Sequence, residues 1–191
     1  MGAVHHTIAP SMYPKLDYDL ERDFVPLALL ASVPQVVVVN PAKVQAGDLK
    51  ELLAAVRAAP GRFNYASAGN GTSHHLAGEL FKLQTRTFIT HIPYRGMGPA
   101  VTDLIGGQTQ VLMASGPSLL PMVRAGRVKA VGITSLKSSD IAPDLQPMAS
   151  AVPGYTFSLW WGMLAPAGTP TAVVDKLNAA VNQVLSKPEM K

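Results

Sequence analysis

The fold of this chain is indicated most clearly by residues 65–85, which read YASAGNGTSHHLAGELFKLQT. Residues 63–67 form a strand-like run, residues 67–73 are small and turn-forming, and leucines then recur at helical spacing. A strand that ends in a glycine-containing turn at a helix start places unpaired backbone N–H groups and the positive end of the helix dipole beside that turn. The stretch therefore predicts an α/β unit that captures an anion, such as a carboxylate, at the start of its helix.

The alternation of strand and helix continues on both sides of this stretch. Strand-like segments occupy 35–40, 62–66, 88–92, 109–114 and 128–134, and helix-like segments occupy 48–58, 73–84, 99–105 and 117–125. Repeated β-α units predict an α/β fold with a mostly parallel sheet flanked by helices. Ligands of such sheets bind beyond the carboxyl ends of the strands, where loops 67–73, 93–98 and 115–118 are expected.

The texture of the sequence divides the chain into two parts. Residues 32–136 predict one near-complete α/β domain that carries the Gly/Ser loop, whereas 1–31 and 137–191 are expected to form parts of another domain. The latter parts include a strand-like run at 157–164 and a helix opened by Thr169 and Pro170. The apolar stripe of that helix is predicted at Val173, Leu177, Val181 and Leu185.

Composition excludes several classes of protein. Hydrophobic residues make up 48% of the 191 residues and charged residues 15%, which is typical of a packed core rather than of disorder. The net charge of +4 comes from scattered basic residues, so nucleic acid is not an expected partner. The chain has no cysteine, which excludes disulfides and thiolate zinc sites, and its first residues lack the pattern of a signal peptide.

Twelve residues are candidates for ligand binding because they lie in the predicted edge loops or on the tryptophan-bearing strand. They are Ser67, Ala68, Gly69, Asn70, Gly71, Thr72, Ser73, His74, Tyr94, Arg95, Ser115 and Trp160. The loop glycines permit close approach of a ligand to the backbone, and Arg95 offers a guanidinium fork for a carboxylate. The N–H groups of Gly71 to His74 are the expected anion donors.

Simpler interpretations of the same residues stay open. The 67–73 loop is also an ordinary turn with a good helix cap, Tyr94 also suits packing, and an exposed arginine such as Arg95 is often merely solvated. Adjacent histidines point apart on a helix and no acidic cluster accompanies them, so neither a metal nor another cofactor is expected. The loop starts like a dinucleotide fingerprint, but His74 stands where the third glycine belongs.

Several segments together resemble the Bug-type substrate-binding receptors of tripartite tricarboxylate transporters. Besides residues 65–82, they are PSMYPKLDYD at 10–19, VPQVVVVNP at 33–41, HIPYRG at 91–96, PAVTDLIGGQ at 99–108, RAGRVKAVGIT at 124–134 and LAPAGTP at 164–170. The resemblance covers nearly the whole chain in order. It departs from the family at Ser115, where many members carry an acidic residue.

The resemblance implies a periplasmic-binding-protein-like clamp of two domains that holds a small organic acid, such as a di- or tricarboxylate or an amino acid. It implies a periplasmic location and membrane components of a tripartite transporter as partners. The family's first-domain ligand loop and its C-terminal tail have no counterpart here, so a partial receptor is expected, with homodimer formation through the chain ends.

Three classes of function follow from these observations. The first is a solute-binding receptor, the second a structural remnant that binds no ligand, and the third an α/β enzyme that acts on a small acid. Neither a G-x-S-x-G nor an H-E-x-x-H motif occurs in the sequence, and the receptor without enzymatic activity is the expectation.

Overall fold

The computed structural model describes residues 1–140 and 142–190, which divide into two compact units. The larger unit holds residues 34–158, and the smaller unit holds residues 1–33 together with the chain from residue 159 onward. The elements in chain order are β1 Gly2–Ala3, α1 Val4–Met12, β2 Phe24–Val39, α2 Leu49–Ala58, β3 Asn64–Ser67, α3 Ser73–Thr85, β4 Thr90–Pro93, α4 Met97–Gly106, β5 Val111–Ser115, α5 Gly116–Arg124, β6 Lys129–Ile133, β7 Ser158–Pro166 and α6 Thr171–Leu185. Short 3₁₀ turns lie at Met148–Ser150 and Pro188–Met190.

The larger unit is built on a mixed sheet with the strand order β6-β2-β5-β3-β4. Strands β3, β4 and β5 pair in parallel, whereas β2 is antiparallel to both of its neighbours, β5 and β6. All strands of this sheet except β2 therefore run in one direction. The predicted α/β class and mostly parallel sheet are confirmed, with β2 as the strand that runs the other way.

Both faces of this sheet are covered by helices, because its central strands are apolar on both sides. Val37 and Val39 pack with α2 and α3 on one face. Val36 and Val38 pack with α4 and α5 on the other face. The continuous run of valines is what a strand buried on both faces requires.

Residues 137–158 pack in the larger unit, whereas the sequence analysis had assigned 137–191 to the other domain. Met148, Val152 and Tyr155 lie in the core cluster formed with α2 and α3. The Tyr155 hydroxyl is buried and donates a hydrogen bond to the carbonyl of Ala77. This segment lacks helical or strand periodicity, so its packing was not visible in the sequence.

The smaller unit contains β1, α1, the first part of β2, β7 from Leu159 onward, and α6. Strands β1 and β7 pair in antiparallel fashion, and β7 is also a neighbour of β2. Helix α1 was not expected, since residues 1–31 appeared turn-rich in sequence. The apolar side of α6 that is partly covered contains Val174, Val181 and Leu185, whereas Val173 and Leu177 of the predicted stripe are exposed.

Candidate functional site

The carboxyl ends of β3, β4 and β5 lie at one edge of the larger unit's sheet, as the predicted β-α alternation required. The strands end at Ser67, Pro93 and Ser115, and each is followed by a loop that leads into a helix. Two of the loops are joined by backbone hydrogen bonds, from Tyr94 N to Ser67 O at 3.0 Å and from Gly96 N to Ala68 O at 3.3 Å. This edge therefore presents the start of α3 beside the 93–96 turn.

The loop after β3 is a self-bonded turn. The Ser67 hydroxyl lies 3.1 Å from both the N–H and the carbonyl oxygen of Gly69. Thr72 donates its hydroxyl proton to the same carbonyl at 2.7 Å. Gly69 and Gly71 have φ values of 131° and 74°, so the turn needs residues that tolerate positive φ. Asn70 at its tip is exposed.

Three backbone donors at the start of α3 have no acceptor within the described residues: the N–H groups of Ser73, His74 and His75. Thr72 occupies the N-cap position, but its hydroxyl is bonded to Gly69 and does not cap the helix. Unpaired donors of this kind, together with the helix dipole, attract an anion. Of the donors expected from the sequence, two are not free. The Gly71 N–H donates to Nδ1 of His75 at 3.1 Å, and the Thr72 N–H donates to the Gly69 carbonyl at 3.4 Å.

Three histidines surround this loop; the sequence indicated His74 and His75 at the helix start, with His74 alone among the candidate site residues. Its Nδ1 is buried without a partner among the described residues, and burial lowers the pKa of His74 to about 4. His75 bonds to Gly71, and Nε2 of His91 lies 2.6 Å from the Ser67 hydroxyl. Two features of the sequence could have indicated these contacts. Gly71 and His75 are one helical turn apart, and His91 lies near the end of a strand.

The loop after β4 contributes one partly buried hydrogen bond and one cation without an ion-pair partner among the described residues. The Tyr94 hydroxyl donates to Asp103 at 2.8 Å, and burial followed by this carboxylate raises the pKa of Tyr94 to about 12. Tyr94 also packs against the core with α4, as the packing interpretation held. Arg95 is exposed and forms no ion pair within the described part of the chain.

The loop after β5 supplies small polar groups. Ser115 is half-buried, and its hydroxyl lies 3.0 Å from that of Ser118. In the sheet, Ser115 is paired with Gln35, a fully buried residue whose side-chain amide has no hydrogen-bond partner among the described residues. The sequence analysis did not identify Gln35, since it lies inside an apolar run. Trp160 lies half-buried on β7, in the smaller unit.

The described residues contain no group of three or more histidines and acidic residues able to hold a metal ion. None of the helices found in residues 1–140 and 142–190 is long and apolar enough to cross a membrane. The geometry is thus a backbone-donor site beside a free arginine. Such an arrangement can bind and orient an anion.

Comparison with known proteins gives a family match along the entire chain. Residues 1–191 match the family described as tripartite tricarboxylate transporter family receptor. A UPF0065 protein in the tcbD-tcbE intergenic region of Pseudomonas sp. (strain P51) is 41% identical over 93% of this chain and 53% of its own length. Protein BugT of Bordetella pertussis is 36% identical over 92% of this chain and 54% of its own length. The chain thus spans about half the length of these curated relatives.

Solved structures also match this chain over most of its length. A periplasmic transporter structure superposes with a TM-score of 0.87 at 38% identity, covering 99% of this chain and 64% of that one. Rpa4515 of R. palustris, determined with adipate, gives 0.84 at 31% identity, covering 93% and 60%. MatC of Rhodopseudomonas palustris, determined with bound malate, gives 0.83 at 31% identity, covering 99% and 65%.

Proposed function

Because this chain belongs to the tripartite tricarboxylate transporter receptor family, we propose that it captures a small organic acid for uptake by a tripartite transporter. The observation that carries the proposal is the set of unpaired N–H groups at Ser73, His74 and His75, next to the 67–72 loop. These donors match a carboxylate, which accepts several hydrogen bonds at once.

The ligand we propose is a dicarboxylate. The relatives Rpa4515 and MatC were determined with adipate and malate, which each carry two carboxyl groups. One carboxylate would accept from the start of α3. Arg95 is exposed and unpaired within the described chain, and it would approach the anion from the 93–96 turn. The other proposed site residues, besides Arg95, are Ser67, Ala68, Gly69, Asn70, Gly71, Thr72, Ser73, His74, Tyr94, Ser115 and Trp160.

We further propose a periplasmic location and contact with the membrane components of a tripartite transporter. BugD, a solved relative at 32% identity, is titled a periplasmic binding protein, and a receptor of this family has to deliver its ligand to a membrane. Both parts of this proposal rest on family membership.

Backbone donation is tested by removing a single N–H. Ser73 is the first residue of α3, a position where proline is tolerated, and the extended conformation of Thr72 suits a residue before proline. We expect Ser73→Pro to weaken adipate binding about tenfold, equivalent to about 1.4 kcal/mol. The matched control Ser73→Ala keeps the N–H and removes only the hydroxyl, so its affinity should stay near that of the wild type.

The measurement is calorimetric titration with adipate and malate, with adipamide as an uncharged control. Circular dichroism of both variants checks that α3 remains folded. Equal losses in Ser73→Pro and Ser73→Ala would show that the N–H is not the anion donor. Absence of binding by the wild type would favour the second candidate, a structural remnant of a receptor.

A separate proposal concerns helix α6 in the smaller unit, which exposes an apolar face. Helix α6 has no buried residue, and Val173, Leu177 and Val184 expose 45%, 40% and 46% of their surface. Apolar faces of this kind are commonly buried by association. We propose that a second copy of this chain covers the face, which gives a homodimer through the chain ends.

A further inference from the structure

Two stacked histidines lie directly beneath the loop that is proposed to bind the acid. The ring centroids of His75 and His91 are 4.1 Å apart with an interplanar angle of 18°. His91 also stacks on Tyr65, at 4.8 Å and 25°. The three rings come from α3, β4 and β3, so they join the elements on either side of the loop.

Each histidine is bonded to one end of the loop. Ser67 is the last residue of β3, and its hydroxyl lies 2.6 Å from Nε2 of His91. Gly71 precedes the helix cap, and its N–H donates to Nδ1 of His75 at 3.1 Å. A single pair of rings therefore holds both the start and the end of the 67–72 loop.

We propose that His75 and His91 are positioning residues for the 67–72 loop, and that His75 holds its end of the loop in the binding conformation only while its ring is neutral. The proposal rests on the function proposed above for this loop. Neither ring has to touch the ligand, although the backbone N–H of His75 is one of the proposed donors. Their role is to fix where the loop ends, and with it the direction of the free N–H groups at the start of α3.

Protonation acts most directly on His75. Its Nδ1 accepts a hydrogen bond from the Gly71 N–H, so the neutral ring carries its own proton on Nε2. A second proton on Nδ1 would turn the acceptor into a donor that faces another donor. It would also place a positive charge on a ring stacked 4.1 Å from His91. The bond to Gly71 would then be lost.

The bond between His91 and Ser67 has two possible proton arrangements. Ser67 has one hydroxyl proton, directed either to Nε2 of His91 or to the Gly69 carbonyl. In the first arrangement, protonation of His91 reverses the bond, because the hydroxyl proton can turn to the Gly69 carbonyl and the charged ring then donates to Ser67. In the second, His91 is the donor and keeps the bond when charged.

The groups that face the two rings keep them neutral at pH 7. Burial lowers the pKa of His75, and the Glu79 carboxylate 4.0 Å from its Nε2 opposes this. That carboxylate is held by Lys82 at 2.7 Å and by the Tyr65 hydroxyl at 2.6 Å, which limits its effect. Burial, and then the neighbouring His75, lower the pKa of His91 to about 4.

The direction of the pH effect follows from these shifts. Both rings titrate below the usual histidine value of about 6.5. The bond from Gly71 to His75 is therefore present at pH 7 and is lost only at a pH below the usual histidine value.

The test uses variants that separate hydrogen bonding from packing. His75→Leu removes the acceptor, whereas His75→Asn keeps an amide oxygen near the position of Nδ1. His91→Leu and His91→Gln form the corresponding pair for Nε2. Melting temperatures of all four variants, measured at pH 7, identify any change that is simply loss of stability.

The first readout needs no ligand. In ¹⁵N spectra of the chain at pH 7, His75 should show a bare Nδ1 and a protonated Nε2, and the Gly71 amide proton should be shifted downfield by its hydrogen bond. Acidification to pH 4.5 should shift the Gly71 amide upfield in the wild type. His75→Leu should show the upfield position at every pH, and His75→Asn should restore part of the downfield shift.

The second readout is adipate affinity by calorimetry. We expect His75→Leu to weaken binding about tenfold at pH 7, equivalent to about 1.4 kcal/mol, and His75→Asn to recover at least half of that factor. Adipate itself titrates in acid, so the quantity compared is the ratio of wild-type to His75→Asn affinity at each pH. This ratio should fall as the pH is lowered.

The outcomes separate this inference from the proposed function. A His75 ring protonated on both nitrogens at pH 7, or a Gly71 amide unchanged in His75→Leu, would overturn the positioning role. Equal affinities of wild type and His75→Leu would overturn it as well. If the wild type bound neither adipate nor malate, the proposed function would fail, and the Gly71 readout would still decide whether the histidines hold the loop.

Discussion

Tyr155 donates its hydroxyl proton to the carbonyl oxygen of Ala77 at 2.8 Å, across a sequence separation of 78 residues. The ring is fully buried in the core between the sheet and α3, and burial raises the pKa of the hydroxyl well above its ordinary value. This contact fixes the 137–158 segment to the helix whose start forms the candidate site.

Removal of the Tyr155 hydroxyl tests the strength of that attachment. We expect Tyr155→Phe to lower the free energy of unfolding by about 1 kcal/mol, because one buried hydrogen bond is lost while the ring still packs. Urea denaturation measures the change. Tyr13→Phe is the matched control, since Tyr13 is 54% exposed and its hydroxyl has no partner among the described residues. Equal values for the two variants would contradict the structural role of Tyr155.

Gly78 allows α3 to lie directly on Tyr65. A Cβ atom added at Gly78 would overlap the Tyr65 ring, and this ring is fully buried. Glycine to alanine inside a helix normally stabilises by up to about 1 kcal/mol. Here we expect Gly78→Ala to destabilise by about 2 kcal/mol, because the ring has to move in a packed core.

The control for Gly78 is Gly106→Ala, at the exposed end of α4, where an added Cβ meets nothing within 4 Å. Urea denaturation should show that the free energy of unfolding changes in opposite directions in the two variants, or that it falls clearly further in Gly78→Ala. A stabilised Gly78→Ala variant would show that the close approach of α3 to Tyr65 is not as the structure has it.

Sequence reasoning was most successful where local pattern and tertiary environment agree. The valines of β2, the leucines of α2 and the glycine turn before α3 each predicted their own elements. It was less successful where long-range packing decides. The strand β2 begins at Phe24 despite Pro26 and Pro34, and residues 137–158 have no periodicity of their own.

The candidate site likewise has one part that the sequence predicted and another part that depends on long-range packing. The free N–H groups of Ser73 and His74 were predicted, because a helix start leaves them unpaired whatever the rest of the fold does. The engagement of Gly71 by His75 and of Ser67 by His91 depends on side-chain directions set by three elements together. Residue types and spacing alone do not determine such contacts.

His74 makes stability depend on pH. Burial lowers its pKa in the folded state to about 4, below the value of about 6.5 expected in an unfolded chain. Its contribution is therefore fully present above pH 6.5 and is lost as the pH falls toward 4. Between pH 7 and pH 4.5 we expect the wild type to lose about 2 kcal/mol more than His74→Leu, which cannot be protonated there. Urea titrations of both proteins at both pH values measure the change. If the free energy of unfolding fell equally in the wild type and in His74→Leu, the pH dependence would not come from His74.

Arg95 should act on affinity and not on stability. It is exposed and has no ion-pair partner among the described residues, so its removal disturbs no folded contact. We expect Arg95→Ala to weaken adipate binding about fivefold to tenfold, the range for one charge-assisted hydrogen bond near the surface. Calorimetry at two salt concentrations should show a smaller loss at the higher one. Arg57→Ala, an exposed arginine on α2, is the control and should leave affinity unchanged.

The exposed apolar side of α6 predicts association between copies of this chain. Val173, Leu177 and Val184 lie on one side of the helix by its 3.6-residue period, apart from the side that Asn178 turns toward the Leu27 carbonyl. We expect light scattering to show a dimer at concentrations of tens of micromolar, on the order typical of modest apolar interfaces.

Leu177→Glu places a charge in the centre of this side and should give a monomer. Ala179→Glu adds the same charge on an exposed position across the helix and should leave the dimer intact. A monomeric wild type would exclude the homodimer. Dissociation by both glutamate variants would show that net charge, rather than the α6 face, controls association.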